Sequence, residues 1–504
     1  MSVYPVSACS SFFEPAVEAL GRLLVKLSSP AVASADHASV ERTLDTDGTE
    51  LMRLVYQGWL DQRAAAEEVR DVVGQDGVAR THHRSAERRF ECLFGGVSVE
   101  RDRVGARFAS ALAPLDATLN LPADRFSFGV RERVCEEAVR GSFDATVDVV
   151  ESTTGASVAK RQAEELVRAA AVDFDAFYAE TSVPAVDVAA ATDLVVLTAD
   201  GKGVVMRPEG LRAATRTKAA NSRHKLAGRL SKGEKRNRKR MATVASVYEL
   251  PAVERLPDDV LGELDGDART ARPRAQRKRV WASLVKEPRE VIRDAFAEAD
   301  QRDPTHARRW VALVDGNATQ IREIQRAARQ AEVTVTLVLD FIHVTEYLWT
   351  AAWDLFDEGN PQAERWVRKY LGQILRGKAS LVAAAIRRAA TMRRLERRKG
   401  IDAAAAYLLG HVEMLRYDAF LRDGLPIATG VIEGACRHLV KDRMDITGAR
   451  WGLEGAEAIL RLRSLHASGD LPAYWAFHRE REFVRNHTSH YADAEETWLW
   501  RGAA

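Results

Sequence analysis

Cysteine is scarce in this chain. Cys9, Cys92, Cys135 and Cys436 are the four cysteines in 504 residues, and none forms a CxxC pair. That argues against a zinc ribbon and a disulfide framework, and it fits a reducing cytosol. No apolar run approaches the length of a membrane span. The N-terminus lacks the basic-then-apolar pattern of a signal peptide. A cytoplasmic protein with no membrane partner is therefore expected. Net charge is also nearly absent, at +2, so any attraction to an acidic partner has to come from local clusters. There is no internal repeat and no low-complexity tail. What remains is an ordinary soluble composition, 46% hydrophobic and 29% charged. The length suggests roughly two to four domains.

Residues 1–85 read as a helical N-terminal region. Within it, "ELMRLVYQGWLDQRAAAEEVR" places Leu51, Leu54, Val55 and Leu60 near one helix face. Residues 86–185 combine a small β element with helices. The β element is "ECLFGGVSVERDRVGA", read with a turn at Gly95-Gly96. The helical part breaks after Ser142 and at Thr153-Thr154-Gly155, before a helix carrying Ser157, Lys160 and Arg161. That is either a helix-turn-helix whose second helix enters a major groove, or an ordinary helical hairpin.

The texture changes in residues 190–343. Strand-like runs are expected at 194–199, 203–207 and 241–250, then a helical region at about 273–299. "RRWVALVDGN" reads as a strand ending at Asp315, "ATQIREIQRAARQ" as a helix capped by Asn317, and "VTVTLVLDFIHV" as a strand ending at Asp340. Antiparallel strands followed by strand–helix alternation predict an α+β domain with a mixed sheet, the element order of the ribonuclease H-like fold. Residues 344–428 read as an all-helical insertion, interrupted at Gly359-Asn360-Pro361. Residues 429–504 read as the C-terminal helical part of the core.

The chemistry rests on acids. In "DLVVLTADGKGVVMR", Asp200 ends an apolar run, and alone it reads as a hairpin-turn aspartate or as a ligand at a sheet edge. Asp315 ends a later strand, expected beside the first. Glu433 follows on a helix, where it either pairs with Arg437 at i+4 or faces the site. Three carboxylates on two strand ends and a helix suit two hard divalent cations and in-line phosphoryl displacement. Arg437 and Lys441 share the Glu433 stripe and suit phosphates. Asp340 and His343 form a D-x-x-H pair with an expected supporting role.

Several stretches resemble the ISKra-four family of bacterial insertion-sequence transposases. They are "TADGKGVVMRPEGLRAATRTKAA", "GEKRNRKRMATVASVYELP", "WVALVDGN", "LVLDFIHVTEYLWTAAW" and above all "LPIATGVIEGACRHLVKDRMDITGARWGLEGAEAILRLRSL", and the resemblance spans most of the chain, including "LNLPADRFSFGVRE" and "RQAEELVRAAAVDFDAFY" upstream. The resemblance implies a DD-E transposase with a ribonuclease H-like core and a helical insertion before the glutamate. The acids that carry over are Asp200, Asp315 and Glu433, as catalytic residues and ligands of two Mg²⁺ ions, with Mn²⁺ as a substitute. Asp340 is the rival for the second acid, and Asp315 is preferred because it ends the strand expected beside the first. The D-x-x-H pair resembles a motif of Mutator-like transposases. The implied partners are double-stranded DNA, both terminal inverted repeats and target, and further copies of the chain in a dimer or larger assembly, nucleoid-associated when on DNA.

The basic stretches fit this reading. Arg212–Arg240 is rich in Lys and Arg with one acid, Glu234. Lys235, Arg236, Arg238, Lys239 and Arg240 are its candidate phosphate contacts, and a solvated loop is the alternative. Residues 387–400 are a second candidate. Sequence preference is assigned to Lys160 and Arg161. Trp451 is either a core tryptophan or a base-stacking one. Two other functions fit the same residues: a ribonuclease H-like nuclease that cuts without joining, and a transposase-derived DNA-binding protein without catalysis.

Overall fold

Leu194–Leu197 is an unbroken apolar run, as in a strand covered on both faces, and all four residues are buried. The computed structural model describes residues 11–181, 193–223, 225–226, 230–231, 234–262, 270, 273–396, 398–446 and 448–492. The chain divides into two compact units. One comprises residues up to Phe177 and from Leu471 on; the other is Tyr178–Asp470. No helix among the described residues is long and apolar enough to cross a membrane.

The first unit begins with helices, Glu14–Leu27 and His37–Ala65, and then turns to strands. These are β1 (Val72–Val73), β2 (Ala79–Arg80), β3 (His82–Cys92), β4 (Gly95–Ala106) and β5 (Ala109–Leu112). The helical reading of residues 1–85 is thus corrected after Ala65. The β3 residues His82–Ser85 are exposed and polar, so they carry no period-2 apolar signal. β3 and β4 pair antiparallel from His82↔Gly105 to Cys92↔Gly95. Their turn is therefore Leu93-Phe94, not Gly95-Gly96. Helices Phe128–Arg140, Phe143–Thr153 and Lys160–Ala170 pack on one another. Ser142 caps the second through Ala145 N–H, as its position suggested, but Ser157 precedes the third. The last helix, Leu471–Asn486, joins this unit through buried polar pairs. Glu482 meets Arg131 at 3.0 Å and His478 meets Asp173 at 2.7 Å.

The second unit is built on one mixed sheet of β6 (Asp193–Val205), β7 (Lys239–Pro251), β8 (Gln276–Ser283), β9 (Arg309–Val314) and β10 (Val335–Leu339). Its order is β10-β9-β6-β7-β8. β6, β7 and β8 are antiparallel; β6, β9 and β10 are parallel. Two expectations are corrected. The runs 194–199 and 203–207 are not two strands of a hairpin: β6 continues through Asp200-Gly201-Lys202-Gly203, because β7 pairs with it from Val205↔Lys239 to Asp193↔Pro251. Thirteen residues of ladder outweigh the turn preference of four. The third antiparallel strand is β8, inside a stretch read as helical. Its first half carries Arg277, Lys278 and Arg279 in a row at the sheet edge, and its second half, Val280–Ser283, is buried. Residues Trp310–Val314 of β9 are buried throughout.

Helix Pro288–Arg302 packs on β6 and β7. It is tied to β8 by a buried charge cluster in which Glu298 receives Arg279 and, at 2.6 Å, Arg302. Burial alone would raise the Glu298 carboxyl pKa; the two guanidinia outweigh it and hold the group low. Asn317 caps helix Ala318–Gln330 through the N–H groups of Thr319 and Gln320, and Asn360 caps Pro361–Leu375. Between β10 and the helix of Glu433 the described elements are all helical, as expected. Glu298→Gln leaves two buried guanidinia facing a neutral amide. It should destabilise this unit by about 3–5 kcal/mol, read as a lower urea midpoint by the fluorescence of Trp281 and Trp310.

Candidate active site

The parallel register decides which acids meet. β6 and β9 run in step from Leu194↔Arg309 to Thr198↔Leu313. Two further steps bring Asp200 level with Asp315, which immediately follows β9. β9 and β10 run in step to Val314↔Leu339, so one further step brings Asp340 level with Asp315, and Asp340 N–H still reaches Val314 O at 2.8 Å. Three aspartates therefore stand at one height, on adjacent strands about 4.8 Å apart. They lie where β9 and β10 end, the side of a parallel sheet where ligands bind.

The three differ in what holds them. Asp340 is 1% exposed and fully engaged. It caps helix Phe341–Ala352 through Ile342 N–H at 3.1 Å, meets His343 Nδ1 at 3.0 Å, and accepts from the Thr429 hydroxyl at 2.5 Å and the Thr429 N–H at 3.3 Å. Among the described residues, the Asp315 carboxylate accepts one bond, a local one from Asn317 N–H at 2.7 Å. Its carbonyl receives the Tyr407 hydroxyl at 2.8 Å, and Tyr347 stacks on Tyr407 with centroids 3.9 Å apart. Asp200 Oδ1 accepts from Gly201 N–H at 2.6 Å, and Oδ2 accepts from the Cys436 thiol at 3.2 Å.

Glu433 arrives by way of Asp340. Phe341 N–H bonds Ile427 O at 2.8 Å, Thr429 bonds Asp340, and Glu433 N–H closes the first turn of its helix onto Thr429 O at 3.1 Å. Helix Gly430–Ala435 and the π-helical segment Cys436–Lys441 both pack on β6. The Glu433 carboxyl pKa is raised, first by partial burial and then by the negative charge of Asp340, Glu346 and Asp200, against an opposing His343. Asp340 drives His343 the other way, to about 9, helped by Glu346 and Asp315 and opposed by burial. His343 is therefore a cation at neutral pH, set among acids.

Some side chains could not be read from the sequence. Thr429, Tyr407 and Cys436 act across long chain separations. Glu346 had a signal, since Asp340, His343 and Glu346 recur every three residues along one helix face. The i+4 stripe of Glu433, Arg437 and Lys441 is interrupted by the π segment, and Arg437 lies 3.7 Å from Asp442 instead. Lys235, Arg236 and Arg238 are exposed just before β7, and Lys239 is exposed at its first position. Arg240 is not comparable: its Nε donates to Leu284 O at 2.8 Å and its Nη1 to Gly210 O at 3.1 Å. His224, Ala227–Arg229, Lys232 and Gly233 of the basic stretch, and Arg397 of the second one, lie outside the described residues. Lys160 bonds Asp144 and Arg161 bonds Glu165. Trp451 is 8% exposed and donates to Met444 O, which makes it a core residue.

No known family profile and no curated protein matches the sequence. Among solved structures the chain is similar to the Drosophila P element transposase strand transfer complex. The identity is 10%, over 72% of this chain and 81% of that one, and the TM-score of 0.23 is too low to carry an argument about fold or function. The site's chemistry has to be judged from its own residues. Asp200, Asp315 and Glu433 are oxygen donors on separate rigid elements, the donor type that hard divalent cations take. The repulsion felt at Glu433 is what a cation relieves. As the side chains stand, no group of three or more His, Cys, Asp or Glu among the described residues is close enough to hold a metal. The fit is one of donor type and placement, not of a closed cage.

Two outcomes follow. Gly316 has φ +90°, and a Cβ there would come within 2.8 Å of Tyr407. Gly316→Ala should cost more than about 1 kcal/mol in thermal unfolding and displace the Asp315 turn. The His343 pKa is raised, so its ion pair contributes stability fully present below the free histidine value of about 6.5 and lost as pH rises through about 9. His343→Gln should flatten the fall of melting temperature between those two pH values.

Proposed function

We propose that the chain is a DD-E transposase of the ISKra-four kind, cutting and joining DNA ends at Asp200, Asp315 and Glu433. The carrying observation is the register that sets Asp200 level with Asp315, with Glu433 led in by Thr429. We read the sheet as ribonuclease H-like, because three antiparallel strands are extended by two parallel ones on the side of the first strand. Asp315 is the better second acid. Asp340 already accepts bonds from Thr429, Ile342 and His343, whereas Asp315 keeps one oxygen clear of its local bond.

In this reading Asp200, Asp315 and Glu433 would hold Mg²⁺ or Mn²⁺. When bound, such a pair of ions supplies activation of the attacking oxygen and charge neutralisation at the leaving one. The chain's own residues do the rest. Tyr407 holds the Asp315 turn, Asp340 and Thr429 hold the entry to the Glu433 helix, and His343 supplies positive charge beside the acids. Lys235, Arg236, Arg238 and Lys239 would position the phosphate backbone without reading sequence, while Lys160 and Arg161 would face bases. Bringing two DNA ends together calls for a dimer or larger assembly.

Labelled terminal-repeat DNA plus a target plasmid tests the assignment and separates cutting from joining. Asp200→Asn, Asp315→Asn and Glu433→Gln should each lower cleavage by about a thousandfold or more, with DNA binding near wild type. If Asp340→Asn abolished cleavage and Asp315→Asn did not, the second acid would be Asp340. Cleavage without joining would make the protein a nuclease.

A further inference from the structure

The Glu433 helix touches the first acid directly. Cys436 lies one helical turn beyond Glu433, and its thiol donates to Asp200 Oδ2 at 3.2 Å. It is 6% exposed and opens the π-helical segment that packs on β6. The other Asp200 oxygen, Oδ1, accepts from Gly201 N–H. One oxygen is thus fixed by the strand's own backbone and the other by the helix that carries Glu433.

We propose that Cys436 is a positioning residue: its S–H fixes the rotation of the Asp200 carboxylate and couples it to the Glu433 helix, so that both acids are presented together to a divalent cation. This rests on the reading of Asp200 as a metal ligand. Hydrogen bonds to a ligating carboxylate orient it and set its affinity. A thiol donates weakly, but a carboxylate acceptor strengthens the bond. The alternative is that Cys436 fills space as a small apolar side chain, the usual role of a buried thiol.

Cys436→Val keeps shape and apolarity and removes the donor. Cys436→Ser keeps a donor. With the full chain and no DNA, the rise in melting temperature is followed as Mn²⁺ is added. Wild type should be stabilised and Asp200→Asn should not. Cys436→Val should need about tenfold more Mn²⁺, the loss typical of a partner to a metal ligand, and Cys436→Ser should recover most of it. A wild-type response in Cys436→Val, or Cys436→Ser as weak as Cys436→Val, overturns the proposal while the Asp200 assignment stands. If wild type and Asp200→Asn both ignore Mn²⁺, the metal site falls and the role of Cys436 with it. The infrared S–H band, taken as wild type minus Cys436→Ser, tests the bond without metal. It should lie below the frequency of a free thiol, and a free-thiol frequency overturns the proposal even if Cys436→Val folds poorly.

Discussion

The in-register parallel pairing of β6 with β9 is the constraint on which the site depends. Asp200 and Asp315 are 115 positions apart in sequence, and only the ladder from Leu194↔Arg309 to Thr198↔Leu313 makes them level. A one-residue slip would move every side chain of one strand to the opposite face. Packing guards against that slip: Val195, Val196, Trp310, Val311, Ala312 and Leu313 are each 0% exposed, so side chains of unequal size on both faces would have to exchange places in a close-packed core. The charge cluster of Glu298 with Arg279 and Arg302 ties β8 to the helix that covers β6 and β7.

The third aspartate shows how similar sequence contexts diverge. Asp315 and Asp340 each follow a β-strand and precede a helix, and they stand level. Their partners separate them. At β9 the helix cap is Asn317, two residues later, and among the described residues the Asp315 carboxylate accepts a local bond alone. At β10 the aspartate is itself the cap, and it binds Thr429 besides. The same carboxylate that starts a helix also anchors the segment leading to Glu433, 93 positions downstream. Such a buried, satisfied carboxylate is suited to holding the architecture in place.

Charge in the site follows from this packing. Partial burial, then the charges of Asp340 and Glu346 at the Phe341–Ala352 helix and of Asp200 on β6, raise the Glu433 carboxyl pKa, while Asp340, Glu346 and Asp315 raise that of His343. Concentrated like charge costs stability unless a cation offsets it. His343 supplies one such cation from within the chain.

Local patterns in the sequence were enough to place β7, β9 and β10, the Asn317 cap, the helix start after Ser142, the break at Gly359-Asn360-Pro361 and the helical stretch before Glu433, because caps, breaks and apolar runs are interactions among neighbours. The acids at Asp200, Asp315, Asp340 and Glu433 were conspicuous for the same reason. Tertiary structure decided what neighbours cannot. The Asp200-Gly201-Lys202-Gly203 stretch has turn chemistry, yet β7 keeps it extended. β8 carries the charge of an exposed helix, yet it pairs at a sheet edge. Thr429, Tyr407 and Cys436 have no local signature, since each acts on an aspartate 89, 92 and 236 positions away. Which carboxylate is occupied and which is left for a ligand is a question of partners distant in the chain, and only the folded sheet brings those partners together.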